Sequence, residues 1–203
     1  MQVSCIDSIL DFWIGTASED VIASKKRSKL WYQATGTIDA SIKENYSDLL
    51  LQAEQRELGH WASCAKGSIA LVILLDQFSR NIYRSTEKAF RNDEYALQIT
   101  EASIDSEQHL ELSLIERAFL YHPFKHSESL LAQDQSIELF HNLVRDAPKP
   151  WQHQMRSFAR HAKAHRKIIL QFGRFPHRNK ILGRANTIEE QDYLNHNNNR
   201  FGQ

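Results

Sequence analysis

Seven consecutive apolar residues, Ile69 to Leu75 in the stretch SIALVILLDQF, constrain the fold more than any other feature of this chain. A run of that length without polar alternation has to be enclosed on every side, either as a buried strand or as a core helix. No second run of the kind exists for it to pair with, and a lone strand leaves its backbone N–H and C=O groups without partners. The pattern therefore predicts a central helix over 68–78. Only seven glycines and four prolines punctuate 203 residues, which favours long helices over many short strands.

The clearest surface helix is predicted over 150–172. Pro150 suits the first helical position, where its missing N–H costs nothing. Trp151, Met155, Phe158, Ala162, His165, Ile169 and Phe172 recur at spacings of three and four and make one apolar stripe. Gly173 supplies the left-handed stop that commonly ends a helix. Thr187 with Glu190 three residues on is a capping box for a last helix. Ser127 can cap a helix over 127–146 whose face carries Leu130, Ile137, Phe140 and Val144. Further helices are expected near 4–14, 18–31, 38–58, 86–103 and 108–121. The fold class is all-α, about eight or nine helices stacked as antiparallel pairs in one domain over 1–203, with a frayed tail from about 195.

No window approaches the ~18 consecutive apolar residues of a membrane span, and the acidic start MQVSCIDSILDFWIG does not read as a signal peptide. Cys5 and Cys64, far apart and without a C-x-x-C, read as buried or free thiols of a reducing, cytoplasmic compartment.

The net charge of zero conceals a polarity. From Ala147 through Ile188 there is no Asp or Glu and there are ten Lys and Arg, whereas residues 1–146 carry 22 acids against 14 bases. Such asymmetry marks either an anionic partner or a basic segment docked on its own acidic body. GRFPHRNKILGR, 173–184, concentrates Arg174, His177, Arg178, Asn179, Lys180 and Arg184 on a loop that Pro176 keeps from continuing the helix. Guanidinium groups there offer planar, bidentate donors for phosphate or carboxylate. DQFSRNIYR, 76–84, repeats the theme with Arg80, Asn81 and Arg84. Asp76 and Asp134 fall at core spacing, where a carboxylate needs a cation, so Arg–Asp pairing is expected for both. His126 and Glu128 lie at a helix start, a place that attracts anions. His161 and His165 share a helix face, but the chain has no H-E-x-x-H and no adjacent His-Asp pair, so neither a metal nor any other cofactor is expected. Nucleic acid is a weak candidate, because Trp151, Phe158 and Phe172 belong to the apolar stripe.

The segments ILDFWIG (9–15), LLDQFSRNIYRSTEKAFRND (74–93), YHPFKHSESLLAQDQ (121–135) and HRKIILQFGRFPHRNKILGRANTIEEQDYL (165–194) together resemble the family catalogued as domain of unknown function 924. Ser79, Ile14 and Lys125 depart from its common pattern, which has Pro, Phe and an acid there. The resemblance implies a tetratricopeptide-like helical fold and no established activity. Its signature polar positions are Asp76, Gln77, Arg80, Asn81, Arg84, His126, Ser127, Glu128, His165, Arg174, His177, Arg178, Asn179 and Arg184.

Three functions are open at this level. The first is a binding module holding an anionic small molecule or acidic peptide through Arg80, Asn81, Arg84, His126, Glu128, His165, Arg174, His177, Arg178, Asn179 and Arg184. The second is a metal-independent hydrolase or transferase on a phosphorylated or carboxylated substrate, with His165 or His177 as general base. The third is a structural Arg–carboxylate network. If there is one anion site, Arg80, Arg84, Arg174, Arg178 and Arg184 should converge on it.

Overall fold

A computed structural model describes residues 4–33 and 35–196. Most of the predicted tail, 197–203, lies outside the described residues. The chain is all-α, and no strand occurs among the described residues.

The apolar run behaves as its composition requires. Helix α4 (Ala65–Val72) widens into a π turn over Ile73–Phe78 and resumes as the short α5 (Ser79–Ile82). Every residue from Ile69 to Leu75 is 0% exposed. Around this rod pack α1 (Cys5–Trp13), α3 (Gly36–Glu54), α6 (Asp93–Asp105) and α7 (Leu114–Leu120). Helix α2 (Val21–Tyr32) lies between, with Trp31 donating to the Trp13 carbonyl at 2.8 Å. The aromatic rings of Trp13, Phe78, Phe119 and Phe158 continue the core edge to edge toward the C-terminal helices.

A short helix α8 (His122–His126) leads into an antiparallel pair, α9 (Leu130–Asp146) and α10 (Lys149–Phe172), joined by Ala147 and Pro148. Helix α10 follows its sequence signals: Pro150 opens it, Gly173 closes it at φ +70°, and Met155, Phe158, Ala162, His165 and Ile169 are buried. The last helix, α11 (Ile188–His196), has the predicted capping box, with Glu190 accepting from the Thr187 N–H and Thr187 Oγ1 from the Glu190 N–H.

Other expectations need correction. Helix α9 begins at Leu130 under a Ser129 cap, not at Ser127, because Gln133 turns inward and donates to the carbonyls of Lys125 and Ser127 at 2.8 Å each. This shifts the buried face to Ala132, Gln133, Ser136, Phe140 and Leu143. Leu130 is exposed, and Asp134 is a half-exposed surface residue paired with Arg166 rather than a core carboxylate. The segments expected at 86–103 and 108–121 start later. Residues Glu87–Phe90 form a 3-10 turn before α6, and the Ser113–Glu116 capping box fixes the start of α7. Cys5 and Cys64 are exposed free thiols.

Gly67 marks where α4 meets the 3-10 turn Gly59–Ser63. A Cβ there would stand 2.0 Å from the Trp61 carbonyl oxygen, which is backbone and cannot swing away. Gly67→Ala should lower unfolding stability by about 1–3 kcal/mol, the usual range for overpacking. Gly36→Ala, with open space around the new methyl, should be neutral or stabilise by about 0.5 kcal/mol. Urea denaturation of the two variants checks both.

Candidate functional site

The π turn carries the residue on which the site is built. Asp76 is 0% exposed and its carboxylate is met from three sides. Arg80 Nη1 lies 3.0 Å from Oδ1, His126 Nδ1 lies 2.7 Å from the same oxygen, and Gln77 donates to Oδ2. Arg80 Nη1 also donates to the Asp76 carbonyl at 2.7 Å, so one guanidinium serves both the backbone and the side chain of the widened turn. π insertions change side-chain register and recur at functional sites. Burial alone would raise the Asp76 carboxyl, but the Arg80 guanidinium and His126 hold it well below the usual carboxylate range. It is an anion at neutral pH.

Arg80 continues outward to Asp93, at 2.9 and 3.0 Å from its two oxygens, and Asp93 is shared with Arg178 at 3.4 Å. The result is a chain of alternating charge, Asp76–Arg80–Asp93–Arg178, running from α4–α5 through α6 to the GRFPHRN loop. Arg178 is 5% exposed and its guanidinium is clamped between two rings, 4.7 Å from the Phe90 centroid and 4.5 Å from that of Phe175. Burial draws its pKa down to about 10 despite Asp93. Its buried Nε has no hydrogen-bond partner among the described residues.

The end of this chain opens into a cavity of about 590 Å³. Its walls come from Glu87, Lys88, Phe90 and Arg91, from Asp93, Glu94 and Leu97 of α6, from His126, Ser127 and Glu128, and from Arg178 and Leu182. His126 is held at the rim by Asp76 below and by the end of α8, which Gln133 ties down. Burial takes its imidazole down to about 3 against the pull of Asp76, so the ring is neutral. Two more neutral histidines stand behind it: burial holds both His122 and His165 well below the ordinary value, and each turns Nδ1 to a backbone carbonyl, Ala118 and His161 respectively.

The arginines expected to converge divide. Arg80 and Arg178 meet on Asp93, and Arg184 reaches the rim through Glu128, which it grips at 2.7 and 2.9 Å. Arg84 turns to Asp39 on α3, which Asn81 also reaches at 2.8 Å. Arg174 turns to Glu190, where Asn179 also donates at 3.2 Å. Neither Arg84 nor Arg174 lines the cavity, and neither do His165 or His177. His165 packs edge-on to Phe175, and His177 lies across the same ring. His161 is exposed and stacks on Tyr32, away from the buried His165 ring. No group of three or more His, Cys, Asp or Glu among the described residues could hold a metal ion, and no helix among them is long and apolar enough to cross a membrane. Asp93, Phe90 and Gln133 were not foreseen; Asp93 and Phe90 lie in AFRND, a stretch with no periodicity to mark them.

A family model described as a bacterial protein of unknown function, DUF924, matches residues 9–198. The chain belongs to that family. Among solved structures it is similar to a protein of unknown function from Agrobacterium tumefaciens, at 32% identity and a TM-score of 0.80 over 95% of this chain and 97% of the other. No curated protein matches it.

Lys125 is 4% exposed, 5.9 Å from the Phe140 ring centre and in none of the ion pairs found among the described residues. Burial brings it down to about 7, against ~10.4 in the unfolded chain. Between those values the unfolded chain binds the extra proton, so this lysine's contribution to stability rises with pH across the window and is lost as pH falls through 7. Lys125→Met should stabilise the protein at pH 7 and lessen the rise toward pH 10, measured by denaturation at several pH values. By contrast, Asp76→Ala should cost about 3 kcal/mol at pH 7, because it strips a buried guanidinium of one of its two carboxylates.

Proposed function

We propose that the cavity binds a small anionic molecule through Arg178. The observation that carries this reading is the state of that guanidinium. It ends a charge chain, shares with Arg80 the one carboxylate it pairs with among the described residues, keeps an Nε without a hydrogen-bond partner among them, and lies between Phe90 and Phe175 at a cavity wall. A fixed, incompletely satisfied guanidinium is a ready donor for phosphate or carboxylate. A volume of about 590 Å³ falls in the range of small-molecule pockets, which favours a metabolite over an acidic peptide.

The structural reading accounts for other arginines of the signature. Arg84 on Asp39, Arg174 on Glu190 and Arg184 on Glu128 are each answered by a carboxylate, and we assign these pairs to the frame. A hydrolase or transferase built on His165 or His177 draws less support, since neither ring lines the cavity.

Inorganic phosphate should therefore raise the melting temperature in a saturable way, equivalent to about 1.4 kcal/mol at ten times Kd. Arg178→Met should abolish that response while the variant still folds, because Asp93 keeps Arg80. A phosphate response that survives in Arg178→Met rules out this reading.

A further inference from the structure

We propose that the ligand is an anion bearing an O–H group, selected by His126 as hydrogen-bond acceptor while Arg178 holds the charge. The proposal rests on the Arg178 site above and adds to it the chemical class of the ligand. A carboxylate can only accept, so the 2.7 Å contact between Asp76 Oδ1 and His126 Nδ1 places the proton on Nδ1. In a neutral ring the other nitrogen, Nε2, then carries a lone pair and no hydrogen. No hydrogen bond from Nε2 occurs among the described residues, and the His126 side chain, 13% exposed, stands in the same cavity wall as Arg178.

The ring stays neutral first because it is buried. Arg80 from α5 and Lys125 from its own helix are cationic groups that also oppose a second proton. His122 and His165 are neutral, and Asp76 alone favours it. Of the four carboxylates that line the wall, Asp93 is engaged with Arg80 and Arg178 and Glu128 with Arg184 and the Phe175 N–H, while Glu87 and Glu94 stand farther along it on the side of Phe90 and Leu97. His126 Nε2 is thus a neutral acceptor in the same cavity wall as Arg178, whose buried Nε has no hydrogen-bond partner among the described residues.

A donor and an acceptor so placed suit hydrogen phosphate, which keeps a P–OH at neutral pH, or a hydroxycarboxylate. They disfavour sulfate, whose oxygens all present lone pairs to Nε2. A site built to bond a hydroxyl rejects the analogue lacking it more strongly than an apolar pocket can.

The experiment is isothermal titration of the full chain at pH 7 with two matched pairs, phosphate against sulfate and L-malate against succinate. The pairs separate a phosphate source from a hydroxy-acid source. At least one pair should show tenfold tighter binding of the O–H partner, and the ratio should fall to near one in His126→Phe, which keeps an aromatic ring against His122 and His165. Equal binding within both pairs, or a ratio unchanged in His126→Phe, overturns the selectivity and leaves the anion site standing. If none of the four binds, the anion site and this inference fall together. Should His126→Phe not fold, the wild-type ratios alone decide.

Discussion

Asp76 directly follows the longest apolar run in the chain and is fully buried with it, where an unpaired charge would cost several kcal/mol. The fold meets that demand with Arg80, Gln77 and His126, and each partner brings a different piece of structure with it. Arg80 closes the π turn onto itself and then reaches Asp93 on α6. His126 draws the end of α8, and with it the start of α9, against the central helix. Through Asp93 the same network extends to Arg178 and so seats the loop after α10. One buried carboxylate thus connects the central rod, α6, α8 and the C-terminal loop.

The polarity of the sequence resolves into two faces. Arg166, Arg174, Arg178 and Arg184 of the acid-free window dock on Asp134, Glu190, Asp93 and Glu128, all outside it. Lys149, Arg156, Arg160, Lys163 and Lys167 instead lie exposed along the outer side of α10. The window therefore folds back on the acidic body through three arginines, Arg166, Arg178 and Arg184, ties Arg174 to the last helix, and leaves its lysines with Arg156 and Arg160 on the outer side. The residues that dock are all arginines, since a guanidinium can satisfy a half-buried carboxylate bidentately and an ammonium cannot.

Helices with strong termini were legible in the sequence: Pro150 and Gly173 bound α10, and Thr187 with Glu190 opens α11. The central run and the need of Asp76 for a cation were legible too, because burial leaves so few ways to treat them; that the cation is Arg80, one turn on, was not. The π turn was not, since periodicity does not say which carbonyl each N–H will find. Asp134 misled because Leu130 and Ile137 flank it at core spacing, whereas the buried face of α9 runs through Ala132, Gln133 and Ser136 and leaves Leu130, Leu131 and Asp134 to solvent. The clamp of Phe90 and Phe175 on Arg178 unites residues from distant parts of the chain, and nothing local announces it.

The network makes one definite demand on a single side chain: Asp76 must hold His126 as the neutral Nδ1–H tautomer. Long-range ¹⁵N–¹H NMR of the histidine side chains measures this directly. The account predicts that His126 shows a protonated Nδ1 and a bare Nε2, unchanged from pH 8 to pH 5. An Nε2–H tautomer, or a His126 that titrates near pH 6.5, would contradict it.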